Sequence, residues 1–249
     1  MHTITGTLFP PTAAESPKAS PASGLHVVDQ LLRDRAAFLH HIQNTTDLLP
    51  TSRALLITIA VCSAVFGATL GFHRGGLQIL YAAIKMPLAV LLTAGISTPA
   101  LTAMRSAVDV RGSAQRDAAL VLGALALGTL IVAALAPVIL LADAMGAGYH
   151  RVILVTVTSC GVGGMAGVAL LARGIHATVP TARRLVAFTL LSVFALVGTQ
   201  MSWSLRPWLL RPKAQHIPFM RAYEGSFADS VQTSIQSAQG IYVDDVDGR

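Results

Sequence analysis

Apolar and polar residues fall into long separate blocks along this chain. Uncharged apolar runs cover residues 54–72, 118–142, 152–172 and 185–205, and a further run over 75–104 contains a single charge, Lys85. About 20 apolar residues in a helix cross the roughly 30 Å hydrocarbon core of a bilayer. In lipid every backbone N–H and C=O must be satisfied within the span, which favours helices. The runs are rich in Ala, Leu, Val and Gly and lack the period-two alternation of barrel strands. The pattern therefore predicts an all-α fold: a polytopic transmembrane bundle with five spans inside residues 51–206.

The flanks read differently. Residues 1–24 are dominated by Pro, Ala, Ser and Thr, with almost no large apolar residue after Phe9, and are expected to be disordered. Over 25–50 the pattern becomes amphipathic: Val28, Leu31, Leu32, Phe38, Leu39 and Ile42 recur at helical spacing, with Asp29, Arg33, Asp34 and Arg35 between them. That predicts an interfacial helix, lying on the membrane or docked on a neighbouring loop, which orients the first span. Its stretch 27–42 is a candidate surface for a protein partner. Pro207 and Pro212 stop the fifth span, and residues 207–249 form an extramembrane tail that offers a second such surface. Trp203 and Trp208 bracket the end of that span, as in an aromatic belt.

Composition narrows the class. Of 249 residues, 53% are hydrophobic and only 12% charged, against about 25% charged in an ordinary soluble domain. Two cysteines exclude a disulfide scaffold, and the first apolar run begins too late for a cleavable signal peptide. Charge then orients the spans. In the internal loops Arg105, Arg111, Arg116, Arg173, Arg183 and Arg184 fall on one side, and only Arg74 and Arg151 on the other. Positive residues stay on the cytoplasmic side. The expectation is an integral membrane protein with a cytoplasmic N-terminus and its C-terminal tail across the membrane, whose partner is the bilayer and not a nucleic acid.

No nucleotide-binding, zinc-protease or hydrolase motif is present. The predicted spans hold no carboxylate, with Asp143 only at a rim, and all eight histidines fall outside them. Neighbouring His40 and His41 point about 100° apart on a helix and read as surface residues. No enzyme activity, metal or cofactor is expected. The one ionisable group inside a span is Lys85. It either snorkels to nearby headgroups or faces a polar crevice, with Tyr81 one turn before it and Pro87 loosening the ladder beside it. Small residues supply a second feature. Ser63, Gly67 and Gly71 recur every fourth residue in the first span, and Ser159, Gly163 and Gly167 do so in the fourth. Such stripes let helix backbones approach closely, within one protomer or between subunits.

The segments IKMPLAVLLT (84–93), GTQMSWSLRPW (198–208) and FMRAYEGSF (219–227) resemble a family of bacterial five-span inner-membrane proteins that has no assigned biochemical activity. The resemblance implies a shared fold and a tail docked near the membrane, and it implies no reaction. Gln200, Trp203 and Arg206 lie one turn apart in sequence and, with Trp208, make a candidate anchor for the tail. Two classes of function remain open. One is a homo-oligomeric channel or small-solute conduit that uses Lys85. The other is a non-catalytic scaffold that anchors a partner complex. An odd number of spans and the lack of an internal repeat disfavour two inverted halves in one chain.

Overall fold

A computed structural model describes residues 24–72, 75–107, 113–146 and 149–176. The run 185–205, the tail, and Gln200, Trp203, Arg206 and Trp208 lie outside the described residues, as does the N-terminal segment before residue 24. Every described element is a helix: α1 (Gly24–Arg33), α2 (Arg35–Asn44), α3 (Leu49–Phe72), α4 (Leu77–Ala107), α5 (Ala114–Ala144) and α6 (Tyr149–His176). The last four are long and apolar enough to cross a membrane. They coincide with the first four predicted runs and extend beyond the apolar cores of those runs.

Consecutive long helices run antiparallel. Gly71 of α3 lies against Gln78 and Ile79 of α4, and Gly67 against Ala82, so residue numbers fall on one helix as they rise on the other. The same holds for α5 and α6, where Gly128 meets Gly163 and Ala124 meets Gly167. Short links enforce this arrangement. The turn into α4 uses Gly75 and Gly76 at φ of 73° and 60°, a left-handed backbone that residues with a Cβ adopt only at a cost. Helix α5 is central, packing on α3, α4 and α6 and receiving α1 and α2.

Most hydroxyls inside the apolar helices are satisfied locally, Thr156 of α6 being a buried exception. Thr58, Thr93 and Thr98 each donate to the carbonyl four residues earlier at 2.8 Å. A hydroxyl bonded this way presents little polarity to lipid.

The N-terminal region departs from the single interfacial helix expected over 25–50. It is broken at Asp34, whose carboxylate accepts from the Ala37 N–H at 2.9 Å and caps α2. Two short helices result, and their buried apolar residues still recur at spacings of four, seven and four. Val27, Leu31, Phe38 and Ile42 are buried against the long helices, while Leu32 is half exposed. His41 ties the second helix down, with its Nε2 3.1 Å from the hydroxyl of Thr51 on α3.

Candidate functional site

The inward positions of α4 form two sets. Gln78, Ala82 and Lys85 are buried in its first half, and Ala94, Ser97, Leu101 and Arg105 in its second. Nine residues separate Lys85 from Ala94, which is two and a half helical turns. The buried face therefore moves about half a turn around the helix between them. The first set faces α3 through Gly67 and Gly71. The second meets α5, where Leu101 packs with Leu120 and Val121. Pro87 lies in the stretch where the change is made. It has no N–H to give the carbonyl of Ala83, so the ladder there is loosened.

Lys85 is only 6% exposed, and its Nζ is 5.8 Å from the centre of the Tyr81 ring, within cation–π reach. The structure thus brings two of the three sequence candidates together, and Pro87 lies off their face. Tyr81, Lys85, Leu88 and Leu92 follow one another at spacings of four, three and four, which is one helix stripe. Along that stripe Leu88 and Leu92 are each 58% exposed. The ammonium is thus held at the border between the α3–α4 contact and an open apolar surface. The candidate span Leu77–Ala103 has its midpoint at residue 90, so Lys85 lies about 7.5 Å along the helix from it.

Both small-residue stripes meet helices of the same chain. A Cβ on Gly71 would stand 2.6 Å from the Ile79 Cα, and one on Gly67 would overlap the carbonyl of Ala82. On α6, a Cβ on Gly163 would come within 2.7 Å of the Gly128 oxygen, and one on Gly167 within 2.6 Å of the Ala124 oxygen. Ser63 and Ser159 are buried and donate to Ile59 and Val155 of their own helices. The four glycines thus set close helix crossings within the chain.

One polar feature escaped the sequence reading. Arg105, placed there in a loop, and Asp117, just before the run 118–142, lie within α4 and α5 and form a buried ion pair. The statement that the spans hold no carboxylate is corrected accordingly: α5 contains Asp117 in its first turn and Asp143 near its end. The missed signal was Ser113, whose hydroxyl accepts from the Arg116 N–H and starts α5 four residues before Asp117. Among the described residues no group of three or more His, Cys, Asp or Glu could hold a metal ion. Comparisons with protein-family models, with curated proteins and with solved structures find no match to the chain.

Proposed function

We propose that the chain forms a homo-oligomeric assembly in the bacterial inner membrane, and that a small anionic solute passes between its subunits beside Lys85. Two expectations go with it: residues 185–205 are a fifth span, and the N-terminus is cytoplasmic with the tail periplasmic. The observation that carries the reading is the place of Lys85. A cation inside a membrane helix costs a few kcal/mol and marks a functional site by default. Here it borders an outward stripe ending in exposed Leu88 and Leu92. The α3–α4 crossing at Gly67 and Gly71 is too close for a solute to pass between those two helices. A path that reaches Lys85 therefore runs along the outer flank of α4, where a neighbouring copy supplies the other wall. No catalytic role is proposed.

Reconstituted liposomes test it. Wild type should pass small anions, and Lys85→Met should lose most of that flux while staying at least as stable, because the buried charge is gone. Lys85→Arg separates a narrow site from a snorkelling one, since the planar head is bulkier. Absence of flux for every ion, or a monomer in nanodiscs, overturns the conduit.

A second reading has its own support. Helices α1 and α2 are fastened to the bundle, with the Phe38 ring fully buried. A rigid platform at one membrane face suits a scaffold that holds a partner protein. Under that reading Lys85→Met changes stability or oligomer size and has no flux to abolish.

A further inference from the structure

Helix α1 has three faces. Gly24, Val27 and Leu31 share one side, Leu25, Val28 and Leu32 a second, and His26, Asp29, Gln30 and Arg33 a third, each about a third of a turn from the next. The first side is packed on the bundle, with Val27 and Leu31 buried. On the third, Asp29 and Arg33 are exposed and paired at 2.6 Å, as on a helix side open to water. The second side is apolar and uncovered among the described residues. Leu25 is 81% exposed and Leu32 48%, with Val28 half-buried between them.

The level of α1 along the bundle decides what meets that side. A Cβ on Gly24 would stand 3.3 Å from the Cβ of Ala54, the first residue of the apolar run 54–72. Phe38 of α2 rests on Gly123, five residues inside the run 118–142. Both N-terminal helices are therefore level with the start of the apolar layer and not out in the water. Exposed arginines mark the same level: Arg53 before the run 54–72, Arg116 before 118–142 and Arg173 after 152–172. The antiparallel order of the helices puts all three at one end of the bundle, and such side chains reach to the headgroups. Around Ala54 the outer side of α3 carries Leu49, Leu56 and Ile57, all exposed. Helix α1 thus starts at the edge of a surface that faces lipid.

We infer that α1 docks on two partners at once: the bundle through Val27 and Leu31, and the headgroup–acyl boundary of the bilayer through Leu25, Val28 and Leu32. An amphipathic helix binds at that boundary with its apolar side dipped among the acyl chains. Here the bundle contact sets the rotation of the helix, so that the leucine side enters lipid while the Asp29–Arg33 pair stays in water. The inference needs α3 and α5 to span the bilayer and does not depend on flux past Lys85.

Lipid-phase and aqueous quenchers test it. The full chain with Cys62→Ala and Cys160→Ala is placed in nanodiscs of phosphatidylcholine and phosphatidylglycerol, with an NBD fluorophore on Leu25→Cys, Leu32→Cys or His26→Cys. Brominated acyl chains should quench the label at 25 and 32 several-fold more than at 26, and iodide should show the opposite order. Quenching by iodide alone at all three positions puts the stripe in water and overturns the inference. Shielding of 25 and 32 from both quenchers means that protein covers the stripe, which overturns it equally. The double variant Leu25→Ser with Leu32→Ser leaves the bundle face untouched, so its thermal stability in detergent should match wild type. In nanodiscs trypsin should cut that variant at Arg33 or Arg35 several-fold faster. Cutting at the wild-type rate would show that lipid does not hold α1.

Discussion

Nη1 of Arg105 in the last turn of α4 donates to Oδ1 of Asp117 in the first turn of α5 at 2.7 Å, with the two side chains 9% and 1% exposed. The pair closes the α4–α5 hairpin at its link. Asp117 also lies at a helix N-terminus, where a negative charge is favoured. Removing one member leaves the other charge buried, which typically costs about 3–5 kcal/mol. Asp117→Asn and Arg105→Met are each expected to lower the thermal midpoint in detergent sharply. The double variant Arg105→Met with Asp117→Leu should recover most of the loss. Single variants that unfold like wild type would show that the pair is no clasp.

The glycine crossings predict a contrast between positions. Gly163→Leu and Gly167→Leu each force a side chain into the backbone of α5 and should destabilise by about 3 kcal/mol or more. Gly95 has nothing within 4 Å of its Cβ position, so Gly95→Ala should be neutral or gain up to about 1 kcal/mol from helix propensity. Thermal unfolding of the three proteins in one detergent decides the matter. Equal effects at all three sites would mean that α5 and α6 do not cross there.

Phe38 fastens α2. A Cβ on Gly123 would stand 2.7 Å from its ring, so the ring rests on the bare backbone of α5. Phe38→Ala should cost about 3–5 kcal/mol and open residues 45–48 to limited proteolysis. Gly123→Val should give the same cleavage by pushing the ring away. An unchanged digestion pattern in both variants would detach the N-terminal helices from the bundle.

Topology is tested by labelling. In a cysteine-free background, an impermeant maleimide should modify Ile235→Cys in intact cells and reach Val110→Cys only after permeabilisation. The motive is the excess of arginines in the links after α4 and α6. The opposite pattern inverts the molecule.

The long helices were legible because lipid imposes a plain rule, a score of apolar residues without charge, and 54–72 or 118–142 satisfies it at sight. Their ends were not. A run stops at the first charge, whereas a helix continues until its backbone donors and acceptors are met elsewhere. Asp117 therefore read as loop although Ser113 caps α5 before it. Lys85 and Tyr81 were legible as a pair because residues four apart share a face. The half-turn change of the α4 face was not, since an apolar stretch such as 88–96 carries no polar side to reveal which way it turns. Phe38 stood out as apolar, but its seat depended on a glycine 85 positions further along. Contacts that distant leave no local period.

The four-residue turn between α3 and α4, with its two left-handed glycines, bears on how the chain enters the bilayer. A ribosome-bound chain presents α3 first, and a lone α4 following it would carry an ammonium into hydrocarbon. The glycine contacts at Gly67 and Gly71 would instead let the two helices enter as one hairpin. Within that hairpin Lys85 would already be largely buried, beside Tyr81. Lengthening the turn should therefore reduce the yield of inserted protein while leaving the stability of whatever folds unchanged, a defect of biogenesis and not of the finished molecule.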